Sequence, residues 1–256
     1  LQKITLVNRT NLFLFLSILL LSSNIYSQKQ YATFGFHVEP IIPLEMFRIK
    51  SQTVVRENVT FNSKPLSGYT IGTHLSVELS PKFSLESGIN YVTRNFLLDV
   101  QDGQFSDTIR MKADNFEIPF TLTYYVQLSE RFFMGHSLGV SLQLIPSNLY
   151  TRNNERNQTY VLQWSFEQFS ARKSPIIPTF KGGFGFEYRS KKDGYFYIGP
   201  VYHLFSELYR TNINYYHKEN GKDISRVRMK TVGDYFGINL RYVFPPSDLL
   251  RKNKEK

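Results

Sequence analysis

The stretch GYTIGTHLSVELS, residues 68–80, puts Tyr69, Ile71, Thr73, Leu75, Val77 and Leu79 on one parity and Thr70, Gly72, His74, Ser76 and Glu78 on the other. Successive side chains of a strand point to opposite faces, so the segment reads as a strand with one greasy face and one polar or small face. A soluble barrel that buries its apolar face produces that pattern. So does a membrane barrel that turns it toward lipid. The rest of the chain has to choose between them.

The alternation recurs over 32–38, 83–91, 116–126, 132–144, 180–188, 196–204 and 236–244. No Asp, Glu, Lys or Arg falls on the apolar parity of any of these segments. The charges sit opposite, as Glu39, Glu78, Glu86, Glu117 and Glu187 against Arg131, Lys181, Arg189 and Arg241, with His37, His74 and His203 beside them. Glycine then decides which face is inside. Gly35, Gly72, Gly88, Gly135, Gly139, Gly183, Gly185, Gly199 and Gly237 all lie on the polar parity, with only Gly182 opposite. An eight-stranded barrel has an interior barely wide enough for side chains, so small residues belong on its inner wall. The polar face is therefore the lumen and the aromatic face meets lipid.

The connections agree. Short turns around Pro81, Ser129 and 191–193 alternate with long joins at 43–67, 95–114, 146–178 and 206–232, which places every long join at one end. The expected fold is all-β, an eight-stranded antiparallel transmembrane barrel of the outer-membrane type with four long external loops. Ten strands would result if Thr159–Phe169 paired with another loop segment to span.

The first residues, LQKITLVNRTNLFLFLSILLLSSNIYSQ, carry Lys3 and Arg9, an apolar core from Leu12 to Leu21 and then small and polar residues. This is the layout of a secretory signal peptide, far short of the roughly 20 apolar residues of a spanning helix. Expected boundaries are a signal over 1–27, a barrel over 28–246 and a basic periplasmic tail over 247–256. The chain of 256 residues holds no cysteine, which rules out disulfides, thiolate metal sites and a lipid-modified cysteine. Net charge is +10, or +8 without Lys3 and Arg9, and in an exported chain points to anionic head groups or polysaccharide rather than nucleic acid.

The hairpin SPKFSLESGINY, the strand FEIPFTLTYYV and the closing YFGINLRYVF together resemble the outer-membrane β-barrel family of Bacteroidota often labelled PorT-like, over roughly residues 30–245. That resemblance implies the barrel architecture, and a branch of the family takes part in type IX secretion. It supplies no catalytic residue. Tyr235, Gly237, Leu240, Tyr242 and Phe244 resemble the terminal-strand signal read by barrel-insertion machinery.

The expected function is a non-enzymatic outer-membrane barrel whose lumen is plugged by the mixed-sign set Glu39, Glu78, Glu86, Glu117, Arg131, Lys181, Glu187, Arg189 and Arg241. Its loops would serve interaction or envelope integrity. The alternatives are an accessory role in secretion, a narrow pore, and a lipid-modifying enzyme. For the last, His136 is the one ionisable residue on the lipid face, yet Leu138 follows it there and Ser137 points inward. Trp164, in TYVLQWSFEQF, is the candidate loop contact; Asp107–Ile109 and the sequons at Asn58 and Asn157 are weak modification signals. No cofactor or metal is expected. Expected partners are outer-membrane lipids and lipopolysaccharide, the insertion machinery, and envelope or secretion proteins, with the chain a monomer.

Overall fold

A bilayer offers no water to an unpaired backbone group, so a sheet can span it only as a closed ring. The computed structural model describes residues 32–43, 51–103, 105–159, 161–190 and 192–245, and among them every regular element is a strand. The expected signal over 1–27 and tail over 247–256 lie outside the described residues.

In chain order the strands are β1 (Ala32–Ile42), β2 (Gln52–Arg56), β3 (Val59–Ser80), β4 (Phe83–Ser87), β5 (Asn90–Asp102), β6 (Phe105–Gln127) and β7 (Phe132–Leu144). They continue with β8 (Leu149–Arg156), β9 (Leu162–Arg172), β10 (Ile176–Ser190), β11 (Gly194–Leu204), β12 (Glu207–His217), β13 (Lys222–Val232) and β14 (Tyr235–Val243).

The ring closes because β1 is paired on both sides. Phe36 lies opposite Tyr242 of β14 and also opposite Thr73 of β3, both antiparallel. From β14 the circuit runs through β11, β10, β7 and β6 to β4 and β5, which share one position, and back to β3. This makes eight positions, at the eight segments the alternation marked. β4 and β5 are one expected strand interrupted at Gly88 and Ile89, where Thr73 N still donates to Ile89 O at 3.0 Å.

Polar parity faces inward throughout the ring, and apolar parity is exposed, as at Phe36, Ile71, Leu122, Leu138 and Ile198. The inner glycines are a matter of space. A methyl group at Gly199 would lie 2.6 Å from Gly185 Cα, and one at Gly185 would lie 2.7 Å from the Tyr197 ring. Aromatic pairs mark two rims. Phe83–Tyr124, Phe132–Tyr188 and Phe196–Tyr242 stand at the short-turn end, while Tyr69–Tyr91 and Tyr91–Phe116 stand at the other. Along β6, Phe116 to Tyr124 is about 26 Å of strand, or about 20 Å of height at a tilt near 40°, close to the apolar band of such barrels.

The four long joins fold as four hairpins, which corrects their reading as loops. β3, β5 and β6 run on beyond the upper rim, where β2 joins β3, and a second sheet in the order β13-β12-β9-β8 lies across them. The polarity of the interior reverses at that rim. On β6 the inward residues are Ile109, Met111 and Ala113 in the upper half, then Asn115, Glu117, Thr121 and Thr123 below. The outward face changes in the opposite sense, from exposed Arg110 and Lys112 to exposed Phe116, Phe120 and Leu122.

β5 follows the same rule, with Phe96, Leu98 and Val100 buried above. β3 needs a bulge to comply: between Leu66 and Tyr69 it carries one residue more than β5 opposite. The extra residue swaps its faces, so Val59 and Phe61 enter the upper core while Tyr69 and Ile71 point outward.

The result is a cap, a sandwich whose core includes Phe61, Leu98, Ile109, Phe166, Ile213 and Tyr215, each exposed by 1% or less. Each such side chain contributes about 1.5–3 kcal/mol on burial. Burial, and next the Asp102 carboxylate, push the Tyr215 phenol well above its ordinary range, so its hydroxyl remains a donor to Asp102 at 3.1 Å.

Side chains staple the two open seams of the cap. Lys230 N donates to Gln52 Oε1 at 2.9 Å and Lys222 Nζ to Glu57 O at 2.8 Å; across the other seam, Asn153 Nδ2 donates to Thr108 O at 3.0 Å. Glu57 and Asn58, at φ 50° and 65°, form a two-residue hairpin turn that requires the left-handed region at both positions. Of the segment 159–169, residues 162–169 belong to β9 of the second sheet, so the ten-strand alternative does not form.

One strand can be tested in both environments. Phe120→Arg, on the lipid face midway between the rims at Phe116 and Tyr124, is expected to cost about 2–4 kcal/mol, measured by urea unfolding in lipid vesicles. Ile109→Arg buries a charge in the cap and should open the cap to protease while the barrel keeps its heat-shifted gel mobility. A cap that resists protease with Arg at 109 contradicts the dry core.

Candidate functional site

The lumen holds most of the charged residues singled out by the sequence, arranged in layers. At the short-turn end Arg241 on β14 donates to Glu86 of β4 at 2.8 Å and to Glu187 of β10 at 2.9 Å. The Tyr125 hydroxyl stands between them, accepting from Arg241 at 3.2 Å and within 3.1 Å and 3.2 Å of the two carboxylates. Arg189 completes the layer, bonded to Glu187 at 2.7 Å and reaching Glu78 at 3.5 Å. Its guanidinium lies 4.3 Å from the Phe133 ring centre and 4.6 Å from that of Tyr125. Six strands meet here, which single-strand reading cannot supply.

Above this layer the lumen keeps a cavity of about 40 Å³ lined by His37, His74, Thr121, Lys181, Tyr197 and Asn239, among others. That volume suits one or two water molecules. The next layer pairs Lys181 with Glu117 at 3.9 Å and His203 with Glu39 at 3.1 Å, while the imidazole of His203 stacks on the Tyr235 ring at 4.1 Å. The His203–Glu39 contact has ion-pair distance without hydrogen-bond alignment.

The top seal is a residue that sequence reasoning missed. Arg94 is buried to 3% exposure, its guanidinium 4.0 Å from the Phe205 ring centre and 5.1 Å from that of Tyr235. It donates to Gly233 O at 3.1 Å, Gln143 Oε1 at 3.2 Å and Asn115 Oδ1 at 3.4 Å. Asn115 also donates to Gln143. Arg94 closes the polar lumen against the dry cap. The lipid-facing alternation ends at Tyr91, which hides Arg94; the continuing alternation of Phe96, Leu98 and Val100 is the available signal.

Arg131 moves the other way. It sits exposed in the β6–β7 turn, donating to the Tyr188 hydroxyl at 3.3 Å, and takes no part in the lumen. With Arg94 in its place, Glu39, Glu78, Glu86, Glu117 and Glu187 still face four cations, so the near-neutral interior survives the exchange.

The remaining candidates are placed as follows. Leu240 and Tyr242 on β14 and Phe244 just after it face outward and Gly237 inward, but Tyr235 is buried inward beneath Arg94. Trp164 is half-buried against the cap core, with its ring 5.2 Å from Phe105 and Nε1 donating to Glu155 at 2.9 Å, so it is a packing residue rather than an open contact. His136 is exposed on the lipid face between Tyr124 and Phe184, and Ser137 donates to Gly183 O at 3.3 Å. Among the described residues no group of three or more His, Asp or Glu side chains could hold a metal ion.

The sequence matches the family model described as outer membrane protein beta-barrel domain over residues 26–199. No curated protein matches it significantly. Among solved structures it is similar to the outer membrane protease OmpT from Escherichia coli, at 10% identity and a TM-score of 0.30, covering 86% of this chain and 100% of that one. It is also similar to the beta domain of the Bordetella autotransporter BrkA, at 9% identity and a TM-score of 0.17, covering 84% and 100% respectively. Superpositions this loose carry no argument about the site.

Removing one member of the lower layer has a calculable effect. Arg241→Met leaves Glu86 without its ion-pair partner, while Glu187 keeps Arg189, and is expected to cost about 3–5 kcal/mol, because an unpaired buried charge keeps its full desolvation penalty. Adding Glu86→Gln to that variant should recover most of the loss. Urea midpoints in vesicles measure both; a double variant no more stable than Arg241→Met shows that the charges are not what the arginine serves.

Proposed function

The chain belongs to the outer membrane protein beta-barrel domain family, and from that premise we propose that it is a non-enzymatic anchor, presenting a folded cap at the cell surface for interaction or envelope integrity. What supports this reading is the division of labour along the barrel axis. The spanning half is filled by its own charge pairs around a cavity of about 40 Å³, which favours a plug over a narrow pore. The upper half invests a hydrophobic core in holding four hairpins still. Rigid presentation lowers the ordering cost of binding.

In this reading the signal is cleaved near Ser27 and the short-turn end, where β1 begins and β14 ends, faces the periplasm. The insertion machinery reads the β14 face of Leu240, Tyr242 and Phe244, and the protein is a monomer among outer-membrane lipids and lipopolysaccharide. An accessory role in secretion, as in the PorT-like branch, uses the same anchor and differs by stable co-purification with large envelope partners.

Planar-bilayer recording on purified protein decides the central point. The expected result is no steady conductance, in the parent and in Glu117→Gln alike. Steady channels whose current changes with Glu117→Gln overturn the plug.

A further inference from the structure

The outward face of the second sheet carries two features that folding does not explain. The register sets Tyr150 of β8, Phe169 of β9, Asn212 of β12 and Arg228 of β13 opposite one another in a single row across four strands. Tyr150 and Phe169 are 62% and 43% exposed, although the same sheet buries Phe166 and Tyr215 on its other side. The two exposed rings thus occupy facing positions on adjacent strands. The far edge of the sheet is cationic: Arg226, Arg228 and Lys230 are exposed on β13 and, among the described residues, make no ion pair. The cations nearer the rings are already neutralised, Arg152 by Glu167 at 2.9 Å and Arg210 by Glu207 at 3.0 Å.

The second feature is strain at that cationic edge. Arg226 sits at φ 57°, a left-handed conformation unusual for a side chain of its size, where β13 carries an extra residue against β12. Asn214 fixes it by accepting the Arg226 backbone N–H at 3.1 Å. A bulge re-aims a side chain, and glycine would occupy the position without strain. The chain holds an arginine there instead.

We propose that this face binds an acidic polysaccharide. The row spans three strand spacings, roughly 14 Å, enough for a short run of sugar rings. Ring faces at Tyr150 and Phe169 suit the C–H faces of sugars, and the Asn212 and Asn214 amides lie where hydroxyls would follow. The unpaired guanidinium groups of β13 suit carboxylate or sulfate groups, which they can engage with two parallel hydrogen bonds. Separation of rings from cations along the row fits a polymer that alternates apolar ring faces with charge. A nucleic acid would be held chiefly by its phosphates and would depend little on the rings.

The inference rests on the cap being a presented surface, and its test separates the two. Full-length protein in detergent micelles is titrated with polygalacturonate, chondroitin sulfate, neutral dextran and a single-stranded DNA of matched charge. Both acidic glycans should bind, dextran should not, and DNA should bind less tightly. Arg228→Glu with Lys230→Glu should weaken glycan binding about tenfold, and Tyr150→Ser with Phe169→Ser by about as much. Arg226→Gly should weaken binding while raising the thermal midpoint of the cap, a combination that a purely structural arginine would not give. The proposal is overturned if the acidic glycans fail to bind at millimolar concentration. It is equally overturned if DNA binds as tightly and loss of the rings changes nothing, which would mean that charge acts alone. Heat-shifted mobility and bilayer silence in the same preparation show that the anchor reading stands whatever the glycans do.

Discussion

Strand β1 is hydrogen-bonded on both sides, to β14 and to β3, and everything else in the molecule follows from that closure. In hydrocarbon an open edge would leave a row of amides and carbonyls without partners, at several kcal/mol each, so the ring cannot be left ajar. Closure at eight positions fixes a narrow interior, and the interior then dictates its own contents. Glycines let Tyr125 and Tyr197 fit, and the charges that enter must find partners across the ring because no bulk water is there to solvate them.

Above the upper rim the solvent changes and the same strands obey the opposite rule. Water now lies outside, so apolar residues on β5 and β6 turn inward and charges outward, and a bulge lets β3 follow. A barrel wall alone could not bury that apolar face. The second sheet covers it, with Phe166, Ile213 and Tyr215 packed on Phe61, Leu98 and Ile109. Arg94 stands at the junction, its head bonded to polar groups of the lumen and its plane against Phe205 and Tyr235. Lumen and cap are thus parts of one design, separated by a single cation and two rings.

Much of this was legible along the chain. The eight spanning segments, the inward face and the end to which the long connections belong all follow from alternation and from where glycine falls. The lower charge layer was legible as a set: Glu86, Glu187, Arg189 and Arg241 all share the polar parity. Two residues were misjudged for opposite reasons. Arg131 shares that parity but sits just outside the strand, so it escapes into the turn. Arg94 lies just past Tyr91, the last lipid-facing aromatic residue of its strand, where the switch of apolar residues to the inward face makes a continuing strand look like a loop. A lone tryptophan in a long connection, Trp164 looks available along the chain, yet the second sheet gives it a core to pack on.

The sequence by itself determined which side of each spanning strand faces lipid, because a strand's period of two depends on nothing beyond the strand. It also determined that the lumen would be charged and close to neutral. Only the tertiary structure decided which charges meet, since Arg241 reaches Glu86 and Glu187 across residue separations of 155 and 54 through the curvature of a closed ring. Only the tertiary structure, likewise, turned four connections into a sandwich, because a hairpin's inner face is defined by the sheet that covers it.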